Sequence, residues 1–268
     1  MKFARSGLSP RRARLVRVLS LCFVFTLLSS ILFSGWYSLT SGYSSVIKIE
    51  DVELIQLEEP TENSTLAVMH TTAGDMTYIL YPEQCPETVK NFISLAESGY
   101  YNNTCVFRVE QDVFFAAGSP NPDGSLNEGD ADKECENVPR ELSPKLWPLR
   151  GALCALTTRA DTGFFRTLFG KQRYFSGSRF LVADSVVMDD EMKEGLASGE
   201  QMQPVADAFI EKGGIPNYSQ QITVFGQLWE GFDILDAITG AELTGESGNQ
   251  KPKDEIRILS VEIKQPNT

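Results

Sequence analysis

Histidine is almost absent from this chain: His70 is the single one among 268 residues. A zinc site built on histidines is therefore excluded, and a Ser/His hydrolase lacks its spare imidazole. His70 alternates with Leu66 and Val68 in a strand-like run and reads as structural. Cysteine is scarce too, five in all, with no Cys-x-x-Cys pair and no metal-ligand spacing, which removes zinc ribbons and thioredoxin-like redox chemistry. Acidic residues are missing before Glu50, where every charge is basic (Lys2, Arg5, Arg11, Arg12, Arg14, Arg17, Lys48). Beyond that point they dominate and bring the formal net charge to −12. A globular part this acidic repels phosphate, so nucleic acid is excluded as a partner. Nothing calls for a metal or a cofactor.

Charge is also missing from Val18–Leu39, which ends near the aromatic pair Trp36–Tyr37. That run spans a hydrocarbon core of about 30 Å at about 1.5 Å per residue, and it is apolar on every face. The basic tail, residues 1–17, predicts a cytoplasmic N-terminus. Small residues suited to cleavage are poorly placed near Ser34–Gly35, so an uncleaved signal anchor at 18–39 is preferred to a removed signal peptide. The sequence thus reads as a single-pass type II membrane protein with its domain in the lumen. Three glycosylation candidates agree with this: Asn63, Asn102 and Asn217, each followed by Ser or Thr at the second position. An oxidising lumen permits disulfides among Cys85, Cys105, Cys135 and Cys154, and all three full pairings stay open. Residues 40–63, Ser-rich and then acidic around Pro60, read as a solvated stem.

Ordered structure is expected over 64–266. Leu66–Thr72 and Met76–Tyr81 alternate like strands about an Ala73-Gly74-Asp75 turn. Pro86 opens a helix that buries Val89, Phe92, Ile93 and Ala96, and Gly99 stops it. Strands are predicted at Cys105–Val109, Val113–Ala117, Ala152–Leu156, Ser178–Val182, Gln221–Leu228 and Ile256–Ile263, with a second helix over Phe232–Ile238. Many short strands with two helices suggest an all-β, closed antiparallel barrel. Two stretches exceed it: a basic, aromatic loop near 159–177, and a polar stretch near 189–214 with helical spacing at Met192, Leu196, Val205 and Phe209.

Within this pattern Arg108 is the one cation in an apolar run, Thr104–Ser119. The order of Pro86–Tyr101, then Phe-Arg-Val at 107–109, then Thr-Val-Phe-Gly at 223–226, resembles the cyclophilin family of peptidyl-prolyl isomerases over roughly residues 65 to 265. The resemblance implies an eight-stranded antiparallel closed barrel with one helix capping each end, and it implies isomerisation of X-Pro bonds. Arg108 stands at the family's catalytic arginine, the alternative being a barrel arginine that reaches Glu110. The pocket phenylalanine corresponds to Val113, or to Phe114 if the register slips by one. The pocket glutamine falls at Ala116. Leu156 replaces a small residue, Leu181 a pocket aromatic and Ile222 a histidine, and the family tryptophan maps near Asn217.

That chemistry needs no nucleophile and no metal. The X-Pro barrier, about 18–20 kcal/mol, reflects amide resonance, and a fixed donor near the prolyl amide lowers it by favouring the twisted form. The expectation is a membrane-anchored isomerase, weak or narrow in specificity, acting on proline-containing polypeptide clients in the ER–Golgi system. The alternative is a catalytically inactive cyclophilin-like binding module. The lost polar handles favour the second, and the retained arginine favours the first.

Overall fold

The computed structural model describes residues 52–126, 138–159, 174–197 and 202–265. The basic tail, the apolar run 18–39 and the stem up to residue 51 lie outside them. Among the described residues no helix is long and apolar enough to cross a membrane.

The strands are β1 (Thr65–Thr71), β2 (Gly74–Leu80), β3 (Thr104–Cys105), β4 (Arg108–Glu110), β5 (Phe114–Ala117), β6 (Val138–Pro139), β7 (Ala152–Arg159), β8 (Tyr174–Ala183), β9 (Thr223–Glu230), β10 (Leu243–Thr244), β11 (Lys251–Pro252) and β12 (Arg257–Lys264). The helices are α1 (Pro86–Glu97), α2 (Asp190–Ala197), α3 (Gln203–Lys212) and α4 (Phe232–Thr239). A ten-stranded antiparallel sheet runs β3-β12-β1-β2-β9-β7-β8-β5-β4, with β6 added on β8. It curls around a core that includes Phe115, Phe180 and Phe225.

The all-β expectation holds, but the eight-stranded closed barrel with two helices is corrected. The ladder path starts at β3 and ends at β4, and these are consecutive in the chain. The expected single strand Cys105–Val109 breaks because its halves pair differently: Cys105 lies opposite Arg257, and Arg108 lies opposite Ala116. An isolated bridge between Cys105 and Ser119 ties the two ends.

The first hairpin turns at Thr72–Ala73, with Thr71 paired to Gly74. The Thr71 hydroxyl donates to the Gly74 carbonyl (2.7 Å) and accepts the amides of Ala73 and Gly74, both at 3.1 Å. Gly74 adopts φ +138, and a Cβ there would meet Ile234 at 2.4 Å, so only glycine fits.

Helix α1 starts with Pro86, whose missing N–H costs nothing at the first position. The Cys85 side chain does not cap it. Glu141, distant in sequence, does so instead, accepting from the amides of Glu87 (3.2 Å) and Thr88 (2.9 Å) and from the Thr88 hydroxyl (2.7 Å). Past the helix, the Gly99 amide donates to Ala96 and that of Tyr100 to Leu95, and Gly99 takes φ +74. The buried face sets Phe92 against Tyr101 (5.2 Å between centroids), Phe225 (5.3 Å) and Phe180 (5.9 Å).

The stem expectation is corrected over residues 52–57. Ile55–Leu57 forms a 3-10 turn, and Gln56 is buried. The Gln56 side-chain amide donates to the Trp147 carbonyl (2.9 Å) and to Gln227 Oε1 (2.8 Å), while its oxygen accepts the Trp147 amide (2.6 Å). Val52 and Leu54 pack on a second small core of Trp147, Leu149, Val205, Ala208 and Phe209.

The 189–214 stretch supplies the rest of that core. The helical spacing read there is present as α2 and α3, and α3 buries Val205 and Phe209. The 159–177 stretch is not wholly a loop, because Arg159 ends β7 and Tyr174–Gly177 begin β8. Residues 160–173 lie outside the described set. Cys85, Cys105 and Cys154 are free, buried thiols. Each of the three full pairings needs a bond between two of them, so none of those pairings holds. Cys135 lies outside the described residues.

Candidate active site

Residues opposite one another on antiparallel strands share a face. Arg108 lies opposite Ala116 and Glu110 opposite Phe114. Ala116 in turn lies opposite Leu181, and Leu181 opposite Cys154. One face of β4, β5, β8 and β7 therefore carries Arg108, Phe114, Ala116, Leu181 and Cys154 in adjacent positions. Of Val113 and Phe114, the two candidates for the pocket aromatic position, the pairing puts Phe114 in the ladder. Phe114 is on the arginine's face, with its ring centroid 5.4 Å from the guanidinium carbon. Val113 stands before β5, half-buried, in a turn closed by its own amide to the Glu110 carbonyl at 2.9 Å.

Arg108 is neither a sealed core residue nor a free surface one, its side chain being 40% exposed. Glu110 approaches to 4.0 Å, with a side chain 47% exposed. A pair that long and that wet contributes at most about 1 kcal/mol. The alternative reading, an arginine merely reaching Glu110, is present as geometry but holds the guanidinium weakly. Arg108 Nε is buried and has no hydrogen-bond partner. A rigid donor fork thus stands over an aromatic face with one buried N–H unspent.

Leu156 and Ile222 close the neighbouring edge. The β7–β9 ladder ends at Ala155 opposite Thr223, one residue short of both. Between Ala155–Phe180 and Thr157–Ser176 the β7–β8 register shifts, so Gly177, Ser178 and Arg179 stand opposite Leu156 alone. Gly118 faces that bulge at φ +83, where a Cβ would fall 2.5 Å from the Ser178 carbonyl. Arg179 is held there by the Gly124 carbonyl (3.1 Å) and the Thr158 hydroxyl (3.3 Å). Ala116 and Leu181 are 1% and 2% exposed, a nearly sealed apolar floor. Asn217, where the family tryptophan maps, is exposed on a 3-10 turn.

Two supporting groups escaped the sequence reading. Asp184, just past β8, accepts from Arg150 Nε (2.8 Å) and from the Thr239 hydroxyl (2.7 Å), and its amide donates to the Val113 carbonyl at 2.7 Å. Arg150 also contacts Asp236 and lies over Phe232. This cluster anchors the ends of β7 and β8 to α4 and to the turn before β5. The thiols beneath the site are inert: burial pushes Cys154 far up, and burial, then the Glu141 charge, pushes Cys85 up to about 12.

The family model for cyclophilin-type peptidyl-prolyl cis-trans isomerases matches residues 66–263. This chain belongs to that family. A relative in Staphylococcus saprophyticus, named as a peptidyl-prolyl cis-trans isomerase, is 33% identical over 201 residues, covering 75% of this chain and 92% of the relative. A Staphylococcus epidermidis relative of the same name is 31% identical over 208 residues, covering 78% and 96%. A solved cyclophilin-type peptidyl-prolyl cis-trans isomerase of Cryptosporidium parvum superposes with a TM-score of 0.53 at 22% identity, over 76% of this chain and 99% of that one. That likeness is one of fold. Membership of this cyclophilin family supports an isomerase over the other reaction classes considered.

Proposed function

We propose that this chain catalyses cis–trans isomerisation of X-Pro peptide bonds at the face carrying Arg108. The observation that carries the reading is the half-exposed guanidinium, weakly paired to Glu110 and with an unspent buried Nε, beside the apolar Phe114, Ala116 and Leu181. A prolyl ring packs on apolar side chains, and a fixed cationic donor beside it favours the twisted amide over either planar form. Each 1.4 kcal/mol of that preference gives about tenfold in rate. The Cryptosporidium protein has also been solved in the presence of the dipeptide Ala-Pro, which agrees with a proline-containing polypeptide as substrate.

Activity is weak or narrow in this reading, because Ala116 offers no side-chain amide to a substrate carbonyl. The cellular setting belongs to the same proposal: an anchor at 18–39, the domain in the ER–Golgi lumen, and glycans at Asn63, Asn102 and Asn217, all three exposed. The test is NMR exchange on X-Pro peptides with wild type and Arg108→Ala. Exchange in wild type that is lost in the variant supports catalysis. No exchange above background from a folded sample defeats it.

One observation favours the second reading, an inactive binding module: the floor at Ala116 and Leu181 is almost closed to solvent. Peptide binding without exchange in that same experiment distinguishes it.

A further inference from the structure

The stem from Glu53 to Asn63, with Ser64 and the end of β2, lines a cleft of about 360 Å³. In the sheet, β9 stands between β2 and β7, the nearest strand of the Arg108 face, so this cleft is distinct from that face. Ile55, Pro60, Ile79, Leu80 and Pro82 give it apolar walls, and Glu58, Glu59 and Glu83 give it an acidic rim. Among the described residues none of these three carboxylates is in an ion pair. The one cation lining the cleft, Lys145, is paired with Glu53.

Tyr81 also lines it and is only 8% exposed, yet its hydroxyl has no hydrogen-bond partner. An unpartnered buried hydroxyl is costly, and natural proteins seldom keep one without a use. Burial first, then the Glu58 charge, raise the phenol above its ordinary range. It therefore stays neutral, with a lone pair to offer. No three His, Cys, Asp or Glu side chains among the described residues converge closely enough to hold a metal ion. The rim carboxylates outnumber Lys145 and repel an anion.

We propose that this cleft binds an organic cation, a guanidinium or primary ammonium on a flexible apolar stem. The head donates to the Tyr81 oxygen and to the rim carboxylates, while its methylenes lie along the apolar walls. Two sources carry that chemistry: a basic side chain of an extended polypeptide, or a free polyamine.

The experiment is calorimetric titration of the full chain in non-ionic detergent at low salt. The protein comes from a non-glycosylating host, because Asn63 also lines the cleft. The probes are N-acetyl-Ala-Arg-Ala-amide and spermidine, each against wild type, Tyr81→Phe and the double variant Glu58→Gln/Glu83→Gln. Saturable binding of at least one probe is expected. It should weaken about tenfold in Tyr81→Phe, with no loss of melting temperature, and about tenfold or more in the double variant. The probe that binds identifies the source. No saturable binding of either probe, or affinities that neither variant moves, overturns the proposal. If Tyr81→Phe fails to fold, the double variant still decides, since both glutamates are exposed.

Discussion

Gln56 does at one position what a stretch of hydrophobic chain would do elsewhere. Its single amide satisfies both backbone groups of Trp147 and the side chain of Gln227. Gln56→Ala strands these groups out of water, and a loss of about 3 kcal/mol is expected, readable as a lowered denaturant midpoint with unchanged slope. Cys85 gives a second residue-scale prediction. Its folded-state value, about 12, lies above the ordinary 9.0. The protonated thiol's contribution is thus fully present below pH 9 and is lost as pH rises from 9 toward 12, because the unfolded chain releases that proton first. Stability should fall across that window in wild type and fall less steeply in Cys85→Ala. A thiol reagent at pH 8 should leave Cys85 and Cys154 unmodified until the protein unfolds.

At the scale of elements, α1 depends on a residue far from it in the chain. Substituting Glu141 by alanine frees the amides of Glu87 and Thr88, and a loss of about 1–2 kcal/mol is expected in a thermal melt. The larger element effect concerns the segment before β1. Residues 52–57 look dispensable as an acidic spacer, but they cover Trp147 and fill part of the second core. A truncation starting at residue 60 should melt well below one starting at residue 48, and should show the same deficit as Gln56→Ala plus the lost apolar burial of Val52 and Leu54. The same dependence makes the longer fragment the right one for any assay of the Arg108 face.

For the whole molecule, the proposed topology makes its own prediction. Carbonate extraction should leave the full chain in the membrane pellet, and release into the supernatant would defeat the anchor. In material from a glycosylating host, glycosidase digestion should shift gel mobility if Asn63, Asn102 or Asn217 is modified. The separation of the two proposed sites by β9 gives a further check: Arg108→Ala should abolish peptide exchange and leave organic-cation binding unchanged.

Local pattern alone determined much of this protein. Period-two alternation marked β1, β2 and β12, Pro86 and Gly99 bounded α1, and the order of Phe-Arg-Val and Thr-Val-Phe-Gly along the chain resembled the cyclophilin family and so singled out Arg108. The alternation and the helix bounds are short-range signals, set by side-chain periodicity and by φ restrictions at proline and glycine. Only the tertiary structure decided the rest. Whether Val113 or Phe114 stands beside Arg108 is a matter of strand register, since a shift of one residue exchanges the faces. The break between β3 and β4 reflects a change of partner strand that no run of apolar residues records. Gln56 looks like one polar residue among acidic neighbours, and nothing local distinguishes it. Its burial follows from Trp147 and Gln227, distant in sequence, whose polar groups would otherwise be left unpaired in the core.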